Sequence, residues 1–175
     1  PSTATAGVGF YTTITIKDAY GNGYNGLVTL TSSDGQTLNV PAFTMGGGST
    51  TLALVLYKAD PITLTATAGS LKGTSAITVN PAAAAALAVS APNAVTAGRS
   101  FNVTVSAKDA YGNTVTGFNG VVNVYSTEGQ SVSPTALTLT SGTVTTALTL
   151  NKAGALKLWA SNGVIGGYSG LITAS

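Results

Sequence analysis

The sequence predicts an all-β chain of two tandem antiparallel β-sandwiches, the first lacking its own first strand. Three observations carry that reading. The hexapeptide Lys17-Asp18-Ala19-Tyr20-Gly21-Asn22 recurs as Lys108-Asp109-Ala110-Tyr111-Gly112-Asn113. Each copy closes an alternating run, Phe10-Tyr11-Thr12-Thr13-Ile14-Thr15-Ile16 and Phe101-Asn102-Val103-Thr104-Val105-Ser106-Ala107, as a half-buried strand does on entering a turn. Turn residues recur about every ten positions with no helical periodicity between them, the spacing of a sandwich.

A chain of 175 residues holds one large domain or two small ones, and a repeat of roughly 90 residues selects two. The boundaries this predicts are 1–80 for the first domain, 81–86 for a Pro/Ala linker and 87–175 for the second. Hydrophobic residues make up 44% of the chain, set among Thr, Ser and Gly. That mixture suits strands with polar outer faces; disordered segments combine low hydrophobicity with high net charge.

Charged residues are scarce at 7%, against about a quarter in an average soluble domain, so the net charge of +2 reflects a lack of charge more than a basic character. Seven scattered cations with no aromatic platform beside them argue against a nucleic-acid surface. A weakly charged surface repels copies of itself poorly, which suits packing against like neighbours. Without cysteine there are no disulfides, thiolate nucleophiles or sulfur metal sites, and without histidine the commonest general base is missing. No constellation for catalysis is visible, and no cofactor is expected. The longest apolar run, residues 82–89, is too short for a membrane helix. The start at Pro1, without Met or a signal-like segment, reads as a processed or excised form.

The elements align in order. Setting Pro1 against Pro92 places Ala6-Gly7 on Ala97-Gly98 and Phe10 on Phe101. After the shared turn the second copy carries three more residues, Thr114-Val115-Thr116, a loop-length change that costs little closure entropy. Residues 27–30 and 121–124 read as the next strand, ended by Asp34-Gly35 and Glu128-Gly129 turns. Ala42-Phe43-Thr44-Met45 and Ala136-Leu137-Thr138-Leu139 follow, and Gly46-Gly47-Gly48 and Ser141-Gly142 read as hairpin turns. Leu52, Leu54 and Leu56 alternate inward, as do Thr146, Leu148 and Leu150; then Ile62, Leu64 and Ala66 match Leu156, Leu158 and Ala160. A last strand is predicted at 74–79 and 169–174.

Between the copies lies Asn80-Pro81 and an alanine run too short to nucleate a helix, hence an extended connector. Leu87-Ala88-Val89-Ser90 alternates and should open the second domain. The first copy has no equivalent of it. A sandwich missing one strand exposes an apolar groove and unpaired backbone groups, which favour an added strand. Either the sequence starts inside a longer array, or a neighbouring subunit supplies the strand. The carboxyl-terminal Ile172-Thr173-Ala174-Ser175 matches Ile77-Thr78-Val79-Asn80 and is not a spare donor.

The residues Ala97-Gly98, Phe101-Asn102-Val103-Thr104-Val105, Asp109-Ala110-Tyr111-Gly112-Asn113, Thr116-Gly117-Phe118-Asn119-Gly120 and Leu148-Thr149-Leu150-Asn151-Lys152-Ala153-Gly154 resemble the tandem immunoglobulin-like repeats of prokaryotic cell-surface proteins. The resemblance covers both halves and is similar to invasin/intimin-type and filamin-like modules. It implies an extracellular seven-strand Greek-key sandwich used as a spacer, stalk, adhesin shaft or filament unit, with no shared catalytic residues. Domain 1 departs from the pattern in its missing first strand and its shortened Gly23-Tyr24 loop. Expected partners are copies of the chain or adjacent immunoglobulin-like repeats.

Candidate site residues are few. Asp18 with Asn22, and Asp109 with Asn113, offer weak calcium ligands, but one acid per loop is too few for the six to eight oxygens Ca²⁺ takes. Trp159 should point outward, as Thr65 does at the matching site, and reads as an interface residue before a sugar platform. Phe10, Ile14, Ile16, Leu87 and Val89 are further interface candidates through the missing strand. Exposed Tyr11, Tyr57, Tyr125 and Tyr168 read as scattered. Asn102-Val103-Thr104 is a formal glycosylation sequon, and exposed Ser and Thr offer O-glycan positions.

Overall fold

A computed structural model describes all residues, 1–175, and they form two compact units, Pro1–Pro81 and Ala82–Ser175. All regular structure is strand. Unit 1 holds β1 (Thr3–Thr5), β2 (Phe10–Thr15), β3 (Gly26–Ser32), β4 (Ala42–Met45), β5 (Ser49–Leu54), β6 (Pro61–Ala68) and β7 (Leu71–Asn80). One sheet runs β1-β7-β6-β3-β4 and the facing one is β2-β5. Period-two alternation sends Leu30, Leu54, Ile62, Leu64, Ile77 and Val79 into one buried cluster, while Val28, Met45 and Ala68 form a second.

Unit 2 repeats this with more strands: β8 (Ala86–Ser90), β9 (Ala94–Val95), β10 (Ser100–Lys108), β11 (Gly120–Ser126), β12 (Val132–Ser133), β13 (Ala136–Leu139), β14 (Thr143–Leu150), β15 (Gly154–Leu156), β16 (Leu158–Ser161), β17 (Gly166–Tyr168) and β18 (Ile172–Ala174). Its sheets are β12-β14-β10-β8, β13-β11-β16-β17 and β15-β18-β9. A single cluster contains Leu87, Val103, Val105, Val122, Leu137, Leu148, Leu158 and Ile172.

Several sequence expectations need correction. The Gly46-Gly47-Gly48 turn is not a hairpin, because β4 and β5 belong to different sheets. Ser141-Gly142 does close a tight two-residue turn, in which Thr140 and Thr143 exchange both backbone bonds at 3.1 and 3.2 Å, but β13 and β14 then part into different sheets. Each turn is held by an asparagine: Asn25 Oδ1 accepts from Gly47 N at 2.8 Å, and Asn119 Oδ1 accepts from Ser141 N at 3.0 Å. The second turn packs so tightly that a Cβ on Gly142 would collide with the Val115 carbonyl, and Gly142 itself has φ 77°. The last strand starts earlier than expected in unit 1, at Leu71. In unit 2 it breaks around Ser169, whose N–H donates to Leu158 O and whose Oγ accepts from Leu158 N, each at 2.9 Å. The short strands β1 and β9, which pair in parallel with β7 and β18, were not legible in the sequence, being only three and two residues long.

Of the six residues read as a linker, Ala86 already belongs to β8. Ala85 N donates to Lys108 O at 2.8 Å and Ala82 N to Asp109 Oδ2 at 3.0 Å, so the alanine run lies along unit 2.

Candidate functional site at an open strand edge

The two units differ most at one edge. In unit 2, β10 is flanked on both sides, by β14 and by β8. Its counterpart β2 pairs with β5 alone, Phe10 opposite Leu54 through Thr15 opposite Ser49. The direction of its backbone groups follows from the neighbouring bonds. Ile16 N donates to Gly48 O and Ile16 O accepts from Tyr24 N, so Ile16 faces the β5 side, as Ala107 does through Gly142 and Val115 in unit 2. Alternation then turns the backbone groups of Thr13, Thr15 and Lys17 toward the edge that β8 covers in unit 2.

Side chains register the same difference. Val105 and Ala107 are fully buried beneath β8, whereas Ile14 and Ile16 are half-exposed. Leu71 is 52% exposed, while Ile165, at the matching position, packs on the unit 2 core. A groove runs along this edge, floored by Ile14, Leu64 and Ala66 and walled by Gly73, Thr74 and Ser75. Its continuation passes Ile16, Lys17, Leu71 and Lys72. Phe10, at the far end of β2, packs against its own core. Leu87 and Val89 are buried inside unit 2, whereas the other interface candidates, Phe10, Ile14, Ile16 and Trp159, are half-buried, and of these Ile14 and Ile16 line the groove.

The duplicated hexapeptide makes the same turn twice. Asp18 Oδ1 accepts from the backbone N–H of Tyr20 and of Asn22, both at 2.9 Å, and Oδ2 accepts from Asn22 Nδ2 at 2.7 Å. Asp109 takes the same three bonds from Tyr111 and Asn113, at 2.9, 2.9 and 2.8 Å. The Asn22 side chain first, then the backbone donors, holds the Asp18 carboxyl below its ordinary value. For Asp109, burial pushes the carboxyl up, but the bonds from Asn113, Ala82 and Tyr111 outweigh it and the net shift is downward. These oxygens serve the turn, and no group of three or more acidic, His or Cys side chains gathers anywhere in the chain.

A second surface feature escaped sequence reading. Tyr125 lies opposite Trp159 across β11 and β16, and Trp159 lies opposite Tyr168 across β16 and β17. The three form one outward row; the Trp159 and Tyr168 rings are 4.4 Å apart between centroids and inclined by 40°. The indole lies over Gly166, where a Cβ would collide with it. Tyr125 and Tyr168 are therefore not scattered. At the matching places unit 1 carries Thr31, Thr65 and Thr74, aligned in the same cross-strand row.

No protein-family model matches the sequence, and no curated protein matches it. Among solved structures the chain is similar to the D00-D0 domain of intimin, at 13% identity and a TM-score of 0.50, covering 99% of this chain and 95% of that one. It is also similar to the Yersinia pseudotuberculosis adhesin InvE, at 17% identity and TM-score 0.47, spanning 57% of that chain. For invasin, a bacterial integrin-binding protein, identity is 19% and the TM-score 0.44, and the chain spans 38% of it. The fold is that of tandem bacterial immunoglobulin-like domains.

Proposed function

We propose that this chain is a structural unit of an extracellular prokaryotic filament, stalk or adhesin shaft, joined to its neighbours by apolar packing and by addition of a strand to β2. The observation that supports this is the open β2 edge beside its closed counterpart β10. Such an edge presents a row of backbone donors and acceptors over an apolar floor, the arrangement that receives strands in β-augmentation. The role needs no chemistry. Of the five acids, Asp18, Asp34 and Asp109 are engaged in turns. Partners under this reading are copies of the chain or adjacent immunoglobulin-like repeats, with glycans attached to exposed Ser, Thr or Asn102. Negative-stain microscopy of native material tests it: long regular fibres or stalks are expected, and dispersed particles the size of one chain overturn it.

One observation favours a second reading, a ligand- or carbohydrate-binding module of a larger secreted protein. The Tyr125–Trp159–Tyr168 row is a contiguous aromatic surface of the kind that stacks on apolar ring faces or packs at interfaces. Trp159 is the sole tryptophan, so its emission reports directly on occupancy. A saturable change on titration with soluble polysaccharides, lost in Trp159→Thr, is what this reading requires.

A further inference from the structure

Resting on the reading that β2 takes an added strand, we infer that its occupant is a linker strand of the kind formed by residues 82–90. That is an extended segment trailing another immunoglobulin-like repeat, antiparallel to β2, with one apolar side chain opposite Ile14 and the next opposite Ile16.

The register comes from unit 2, where Val89 lies opposite Val105, Leu87 opposite Ala107 and Ala86 opposite Lys108. Those β10 positions correspond to Ile14, Ile16 and Lys17. The occupant's amino-terminal end therefore lies at Lys17 and its carboxyl-terminal end at Thr13.

An otherwise unexplained glycine supports the same path. Gly167 lies opposite Ala160, and a Cβ there would fall on the carbonyl of Leu87, so glycine is required because β8 passes over it. Gly73 holds the same ladder position opposite Ala66. A Cβ on Gly73 would meet nothing within 4 Å, and its φ lies outside the left-handed region. Nothing in unit 1 calls for glycine here, and an exposed strand position is better filled by Thr or Val. A backbone crossing at Gly73 does call for it.

The turn supplies a third mark. Asp109 Oδ2 receives Ala82 N, four residues before Ala86. Asp18 presents the matching oxygen to solvent, ready for an N–H of the incoming segment. β8 and β18 are both paired in their own unit, so neither is free to fill this edge, and the occupant is a segment outside residues 1–175.

The probe is a synthetic peptide of residues 82–90 on a soluble lysine tag, titrated into the 175-residue protein and followed by amide NMR. Saturable shifts are expected at Thr13, Thr15, Lys17 and Gly73, with hydrogen exchange at the three β2 positions slowed about tenfold or more. A spin label on the peptide's amino terminus should broaden Lys17 more than Thr13. Peptide Val89→Asp should not bind. Protein Gly73→Val should keep its melting temperature and lose the peptide. Absent shifts, a label nearest Thr13, or equal binding by Gly73→Val would each overturn the inference. Absent shifts beside intact native fibres remove this occupant and leave the structural-unit reading standing, whereas dispersed native particles remove that reading itself.

Discussion

The backbone N–H of Ala82 donates to Oδ2 of Asp109 at 3.0 Å, and this bond distinguishes two turns that share their hexapeptide and the three bonds their aspartates accept from within it. It ties the start of the alanine run to the end of β10 and helps leave Asp109 only 4% exposed, while Asp18 stays open to solvent. Both carboxyls are held below their ordinary value, and in unit 2 the Ala82 N–H is one of the groups that holds Asp109 there.

Asp109 has its pKa held below the unfolded value of 3.8. A depressed carboxylate contributes stability that is present above the unfolded pKa and is lost as pH falls through the folded one. Unit 2 should therefore melt at a constant temperature above about pH 5 and lose stability on acidification below that. Asp109→Asn should cost about 2 kcal/mol at neutral pH and flatten the acid limb. Calorimetry from pH 2 to 7 on both proteins, an interval set by the ordinary carboxylate range of about 4, checks the sign. An acid limb unchanged in Asp109→Asn would assign the effect elsewhere.

Gly167 and Gly73 occupy one ladder position in two environments, so the same substitution should diverge. Gly167→Val puts a side chain into the Leu87 carbonyl and should cost about 3 kcal/mol, or expel β8. Gly73→Val enters open space and should be neutral or slightly stabilising, since valine favours strands. Denaturant melts of the two variants measure this directly, and equal effects would mean that the two glycines do not share a cause.

Much of this was legible in the sequence. The repeat alone located the inward residues, because period-two alternation in two aligned copies marks Leu54 and Leu148, or Leu64 and Leu158, as core. It also exposed the missing strand, since Leu87 and Val89 have no counterparts in unit 1. Other features depend on pairing that no local pattern encodes. Whether Gly46-Gly47-Gly48 closes a hairpin or arches between sheets is settled by which strands β4 and β5 join, and both outcomes need the same positive-φ residues. Tyr125, Trp159 and Tyr168 span 44 residues of sequence and become neighbours only through the registers of three strands. Gly73 looked like one strand glycine among 22 glycines until the Leu87 carbonyl explained its twin.

Trp159 is half-buried and stacked on Tyr168, so its removal should be felt modestly. Replacing it with threonine, the residue at the matching site Thr65, should destabilise unit 2 by about 1 kcal/mol through the lost ring contact and leave unit 1 untouched. A loss confined to the unit 2 transition is the expected calorimetric result. A loss in both transitions would contradict the assignment of the row to one unit.

The measurement that bears most directly on the open edge is amide hydrogen exchange, residue by residue, on the isolated chain and on native assembled material. In the isolated chain Thr13, Thr15 and Lys17 should exchange quickly while Thr104, Ser106 and Lys108, covered by β8, are protected. In the assembled material the first three should become protected as well. Thr13, Thr15 and Lys17 exchanging as fast there as in the isolated chain would contradict the claim that a strand from elsewhere completes this sheet.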